Sequence, residues 1–130
     1  MRSPSPVNHK QELGLIGEEL AAAALLERGY AILATRYRTE RGEIDIVAQE
    51  GTTLVFVEVR ARADAECGLA AESLTESKRR KVSRMAAEYL AVNHITGQAC
   101  RFDVVAIDGA FDAAPAVTVF TNAFDAIGVD

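Results

Sequence analysis

Residues Leu54 to Val59, LVFVEV, are apolar on both of the faces that alternate along a strand. Such a strand cannot leave one face in water. It belongs at the centre of a sheet with helices covering both sides. Yet Glu58 stands inside it, and Asp45 stands in the preceding apolar run between Ile44 and Ile46. A bare buried carboxylate costs several kcal/mol or more, so each must be neutralised, paired or bound to a cation.

The segment between these runs reads as a hairpin. Glu50-Gly51 is the expected two-residue turn, with glycine supplying a positive φ. Gln49 then pairs with Thr52, and the numbers of opposing residues sum to 101. In that register Asp45 faces Phe56 and Glu43 faces Glu58. Side chains alternate, so Glu43, Asp45, Glu58, Arg60 and Arg62 share one face. Asp45 and Glu58 become diagonal neighbours, roughly 7–8 Å apart at the backbone, within reach of one ion.

A chain of 130 residues matches the size of one domain. Its composition, 49% hydrophobic and 25% charged, is that of an ordinary globule. No apolar run approaches membrane-spanning length, and the opening MRSPSPVNHKQ lacks the hydrophobic segment of a secretory signal. Cys67 and Cys100 show no metal-ligand spacing. The expected compartment is the reduced cytoplasm, with no membrane partner. The net charge of −5 is unevenly spread: residues 102–130 hold five aspartates and no lysine or arginine. The bases gather in Arg36, Arg38 and Arg41, in Arg60 and Arg62, and in Lys78, Arg79, Arg80, Lys81 and Arg84. Local clusters set the field that a phosphate backbone meets. For the last cluster, a solvated helix face is the plainer alternative.

The periodicity predicts a first helix from Gln11 to Arg28, with Asn8 a cap and Gly29 its end. Strands are predicted over Tyr30–Tyr37, Glu43–Ala48, Thr53–Arg62, Arg101–Asp108 and Ala116–Phe120. A second helix spans Thr75 to Val92, with Ser73 or Thr75 as cap. Its stripe of Val82, Met85, Ala86, Tyr89 and Leu90 extends back to Lys78, which leans toward the sheet or snorkels at the core edge. Arg79, Arg80 and Arg84 then face outward. The order is α-β-β-β-α-β-β, an α/β fold with a central mixed sheet flanked by helices. Residues 1–10 are a flexible tail, 11–122 the single domain and 123–130 an acidic tail.

Metal-assisted phosphodiester cleavage needs hard oxygen ligands, an easily ionised water and a cation against the charged phosphorane. Asp45 and Glu58 suit Mg²⁺ or Mn²⁺, with the Val59 carbonyl as a third donor. Arg60 can stabilise charge but cannot serve as a base. Glu18 of the first helix either joins through water or simply faces solvent. The rival reading of Asp45, Glu58 and Arg60 is a structural ion pair; two acids beside one base leave charge over, which favours the metal. Gly-rich phosphate loops, H-E-x-x-H and nucleophile elbows are absent from the sequence.

GEELAAAALLERGYAIL, GEIDIVAQEGTTLVFVEVRAR, SKRRKVSRMAAEYL and RFDVVAI occur in this order. As a set, across residues 11–108, they resemble the YraN-like family of small bacterial proteins. That family is similar to Holliday-junction resolvases of the restriction-endonuclease-like PD-(D/E)xK superfamily. The resemblance implies a restriction-endonuclease-like core and a metal-dependent nuclease site. In it Asp45 is the first acid, Glu58 and Arg60 the (D/E)xK pair, and Glu18 the helix-1 glutamate. Glu43, Arg62, Lys78, Arg101 and Asp103 fall at motif positions without an established role. Ile44 replaces the proline, and Arg60 replaces the usual lysine, unless Lys78 takes over its work.

The expected activity is Mg²⁺- or Mn²⁺-dependent hydrolysis of structured or branched DNA, with Asp45, Glu58, Arg60, Glu18 and Lys78 catalytic. Asp45, Glu58, Val59 and Glu18 are the expected metal ligands. Arg36, Arg38, Arg41, Arg62, Arg79, Arg80 and Arg84 are expected to meet the DNA. The alternative is a catalytically weak nucleic-acid-binding module that positions a partner. Resolvase-like proteins suggest a homodimer or a DNA-processing protein as further partners.

Overall fold

The computed structural model describes residues 9–64 and 74–127. The expected caps Asn8 and Ser73 lie outside them. The elements are α1 (His9–Glu27), β1 (Ala31–Thr39), β2 (Gly42–Glu50), β3 (Thr53–Arg62), α2 (Glu76–Val92), β4 (Cys100–Asp108) and β5 (Ala116–Phe124). This is the expected α-β-β-β-α-β-β order. β5 runs on past residue 122 because Phe124 is buried and stacks on Phe102.

Local chemistry sets the helix ends. α1 stops where Gly29 takes φ +90°. The Tyr30 N–H donates to the Leu25 carbonyl and the Gly29 N–H to that of Leu26, closing a Schellman motif. At the start of α2 the Thr75 hydroxyl accepts from the Lys78 N–H at 3.2 Å.

The five strands form one mixed sheet in the order β1-β2-β3-β4-β5. β3 and β4 are parallel, joined through α2, and the other neighbours are antiparallel. β3 is therefore the central strand that its double-sided apolar pattern required. α1 lays Ala21 and Leu25 on one face, against Val55, Val57, Val105 and Ile107. α2 lays Val82, Met85 and Ala86 on the other, against Ile44, Val47, Leu54, Phe56 and Val104. Each large apolar side chain so buried contributes about 1.5–3 kcal/mol.

A polar network ties the far end of the sheet together. Asp103, fully buried, accepts from the Tyr30 hydroxyl at 2.8 Å, from Arg101 Nε at 3.0 Å and from the Asn122 N–H at 2.9 Å. Arg101 also donates to Glu50 at 2.6 Å. Arg101 and Asp103 thus join the end of α1 to β4, β5 and the β2–β3 hairpin. With Asp103 satisfied by three donors, the network is structural.

The hairpin register differs from the sequence-based one. Glu50 pairs with Thr53 and Ile46 with Val57, so opposing numbers sum to 103 rather than 101. The turn is Gly51-Thr52, with Gly51 at φ +58° in the first central position. A slip of two residues preserves parity, so within the ladder the faces stand while the partners change. The ladder ends at Ile46–Val57. Beyond it alternation fails: Ile44 and Ile46, two residues apart, belong to cores on opposite faces. The neighbouring pairs Thr35–Ile46 and Tyr37–Ile44 put Arg36 opposite Asp45, and Arg36 has φ +51°. β2 thus leaves β3 at Asp45, and the gap opens the site.

Candidate active site

Asp45 fills the place where the ladder would continue. The Val59 N–H donates to its Oδ2 at 2.8 Å. This also locates Val59: its N–H anchors an acid, and its residue lines the cavity. The cavity, about 320 Å³, is walled by Lys10, Glu18, Asp45, Glu58, Arg60 and Lys78 among others. Four elements supply these residues: α1 gives Lys10 and Glu18, β2 Asp45, β3 Glu58 and Arg60, and α2 Lys78.

Glu18 arrives because α1 lies unusually close to β3. A Cβ on Gly17 would sit 2.8 Å from the Ala61 Cβ. The next residue is thereby carried to the sheet. Glu18, Glu43 and Asp45 each offer a carboxylate oxygen within 4.8 Å of the others. Two arginines hold the outer pair: Arg36 Nε meets Glu18 at 2.6 Å, and Arg38 Nε meets Glu43 at 3.5 Å.

On the other side of Asp45 stands Glu58, 8% exposed, whose Oε2 has no hydrogen-bond partner. Burial, and then the charge of Asp45, raise the Glu58 carboxyl to about 9. Burial raises Asp45 to about 6 against the opposing pull of the Val59 N–H, with Glu18 and Glu43 pushing the same way as burial. Without a cation, burial and mutual repulsion therefore favour a proton shared by the Asp45–Glu58 pair. Lys78 is lowered by burial and by the charge of Arg60. Acids forced to hold a proton beside an orphaned carboxylate oxygen form a donor set lacking positive charge. Hard oxygen donors of this kind suit Mg²⁺ or Mn²⁺.

Not every expected residue belongs here. Asp45, Glu58, Arg60, Glu18 and Lys78 converge on one cavity. Glu43, given no role by the sequence beyond its face and motif position, joins the carboxylates. Lys10, expected in a tail, lines the wall because α1 begins at His9. The parity that placed Glu43 on the face of Asp45 was its signal; Lys10 had none.

The arginines divide. Arg41, Arg80 and Arg84 are exposed, Arg80 beside Glu76 at 3.4 Å. Arg62 pairs with Asp64 at 3.3 Å. Arg36 and Arg38 are committed to site acids. Arg79 corrects the expectation of an outward residue: it lines an apolar cleft with Leu74, Val104 and Phe124, and its Nε is buried. Arg79 shares a helical stripe with buried Ser83 and Ala86, four and seven residues on, so the core-facing arc includes it.

The comparisons with known proteins agree with this sequence pattern. Residues 17–107 match the model of the uncharacterised protein family UPF0102. The UPF0102 protein of Moorella thermoacetica is 47% identical over 98 residues, covering 75% of this chain and 82% of that one. That of Desulfosudis oleivorans is 42% identical over 120 residues, covering 92% and 95%. That of Lachnoclostridium phytofermentans is 45% identical over 123 residues, covering 94% and 99%. The matched span contains Glu18, Glu43, Asp45, Glu58, Arg60 and Lys78, and the chain belongs to the UPF0102 family, the YraN-like group that its motifs resemble.

Proposed function

We propose that this protein is a divalent-cation-dependent nuclease that hydrolyses phosphodiester bonds in structured or branched DNA in the cytoplasm. One observation carries the reading: Glu18, Glu43 and Asp45 bring carboxylate oxygens within 4.8 Å of one another, and Glu58, which lines the same cavity as Glu18 and Asp45, keeps its Oε2 buried without a hydrogen-bond partner. Asp45 and Glu58, with Glu18 and Glu43, would hold Mg²⁺ or Mn²⁺. Such an ion, when bound, supplies an ionised water at neutral pH and neutralises charge on the phosphate oxygens.

The chain's own residues do the rest. The Val59 N–H fixes Asp45, and Arg36 and Arg38 orient Glu18 and Glu43. Arg60 and Lys78, on the cavity wall, bind the scissile phosphate and stabilise charge that grows on it. Arg60 moves no proton, because guanidinium stays charged. Exposed Arg41, Arg80 and Arg84 attract the DNA backbone without reading sequence. Among the described residues no helix is long and apolar enough to cross a membrane.

The second reading, a binding module of low activity, is favoured by Arg60 standing where the resembled family has lysine. Purified protein with duplex, nicked, flapped and four-way DNA, in Mg²⁺, Mn²⁺ or EDTA, separates the two. Cleavage with either metal, lost in EDTA and in Asp45→Asn, is expected. Binding without cleavage of any structure would leave the module.

A further inference from the structure

Beneath the start of α2 lies an apolar cleft of about 510 Å³. Leu74 and Arg79 line it from the helix side, and Val104, Phe120 and Phe124 from the sheet side. The volume falls in the range of sites that hold a small ligand. β5 shapes the cleft. Val104 pairs with Phe120 but Phe102 with Phe124, so a step of four residues on β5 answers a step of two on β4. The extra residues arch out, with Asn122 at φ +52° and its N–H on Asp103 at 2.9 Å. A bulge of this kind re-aims side chains beside a site. Here it parts two aromatic rings. Phe124 is buried and stacks on Phe102, whereas Phe120 stays 40% exposed at the cleft.

The chemistry of the lining narrows the occupant. Among the described residues of the cleft Arg79 alone is charged, and its Nε is buried without a hydrogen-bond partner. A cation would be repelled. A wholly apolar group would leave that N–H unsatisfied, at the full cost of its desolvation. The fitting occupant lays a flat apolar surface on Phe120 and turns a hydrogen-bond acceptor to Arg79. A nucleobase has both, a π-face and acceptor atoms along its edge.

Position selects the same group. The cleft adjoins the carboxylate cavity in two directions. Along α2, Lys78 lines the cavity and the next residue, Arg79, lines the cleft. Across the sheet, Glu58 pairs with Val104, and Val104 with Phe120, so the three share the α2-covered face. Strand spacing sets Val104 about 5 Å and Phe120 about 10 Å from Glu58 at the backbone. A phosphate at the carboxylates would have the base of its own or the adjoining nucleotide within reach of Phe120.

Resting on the nuclease reading, we propose that this cleft receives one unpaired nucleobase beside the scissile phosphate, stacked on Phe120 and hydrogen-bonded by Arg79 Nε. A base inside a duplex is paired and stacked. Extruding it costs energy, and the cost is least for a base already single-stranded. The preferred substrate is therefore DNA with an unpaired nucleotide next to the cut, such as a flap, rather than continuous duplex. Stacking accepts any base, so the preference is for structure and not for sequence.

Fluorescence anisotropy of the full chain tests this, on nicked duplexes whose one-nucleotide flap carries either a base or an abasic sugar. Ca²⁺ replaces Mn²⁺ to occupy the oxygen donors, and a gel checks that the DNA stays intact. Wild type is expected to bind the base-bearing flap roughly 10–100-fold more tightly than the abasic one. Phe120→Ala is expected to erase that difference with its affinity for the abasic flap unchanged, and Phe120→Trp to keep the difference. Circular dichroism and thermal denaturation check that both variants fold. Equal wild-type affinity for the two flaps overturns the proposal. So does a Phe120→Ala that weakens both flaps alike, as a merely structural role would. A protein that cuts the flap with Mn²⁺ but ignores its base loses the base site and keeps the nuclease reading. One that discriminates as stated but cuts nothing with Mg²⁺ or Mn²⁺ supports the base site and removes only the nuclease reading.

Discussion

Gly17 faces Ala61 across an interval that leaves no room for a methyl group: a Cβ there would lie 2.8 Å from the Ala61 Cβ. That approach delivers Glu18 to the carboxylate cluster. Gly17→Ala should gain about 1 kcal/mol of helix propensity and lose about 1–3 kcal/mol to overpacking. The expected net is a loss of roughly 1 kcal/mol, with weaker Mn²⁺ binding as α1 is pushed off β3. Gly14→Ala, where nothing lies within 4 Å, should instead stabilise. Urea denaturation and calorimetry check the pair; equal Mn²⁺ affinity in wild type and Gly17→Ala would refute the positioning role.

The acids of the site should make the metal-free protein pH-sensitive in an unusual direction. Folding raises Glu58 from an ordinary 4.5 to about 9, so across that window the folded state holds a proton that the unfolded state releases. Stability is therefore fully present below the lower value and is lost as pH rises toward the upper one. In EDTA, wild-type Tm should fall over this range, and Glu58→Gln should flatten the fall. Mn²⁺ should raise Tm at the alkaline end in wild type and much less in Asp45→Asn. Parallel pH profiles for wild type and Glu58→Gln would contradict the assignment.

Arg60 can be asked directly what it does. If it stabilises charge on the phosphate, Arg60→Lys should leave single-turnover cleavage within about tenfold, and Arg60→Ala should cost about 10²–10³-fold. If the site instead needs a titratable amine, Arg60→Lys should gain roughly 10²–10⁴-fold and acquire a basic-limb inflection. The expected result is the first, because a cation-bound water needs little help from a base.

Arg79 and its neighbours on α2 should separate cleanly. Replacing Arg41, Arg80 and Arg84 together by alanine should weaken DNA binding on every structure and lower the salt slope by roughly two to three. Arg79→Ala should leave that slope alone and change stability, since its side chain lies in the apolar cleft. Fluorescence anisotropy across a salt series measures the first and thermal denaturation the second. An Arg79→Ala slope as reduced as that of the triple variant would put Arg79 back on the DNA face.

Much of this protein follows from its sequence alone. A strand apolar on both faces has to be central, and β3 is. Element order followed from periodicity and punctuation, because helix and strand patterns are local. The register slip of two kept parity within the β2–β3 ladder, but alternation breaks between Ile44 and Ile46. It is the bond from the Val59 N–H, not parity, that sets Asp45 beside the strand of Glu58. What only the tertiary structure decided was distance. The parting of β2 from β3 at Asp45 depends on the opposing irregularity at Arg36. Glu18 reaches the site through a helix–sheet contact between Gly17 and Ala61, forty-four residues apart. Arg79 turns inward because β4 and β5 leave a cleft beneath the start of α2. These depend on surfaces that meet only after the chain has folded, and no local pattern in the sequence records them.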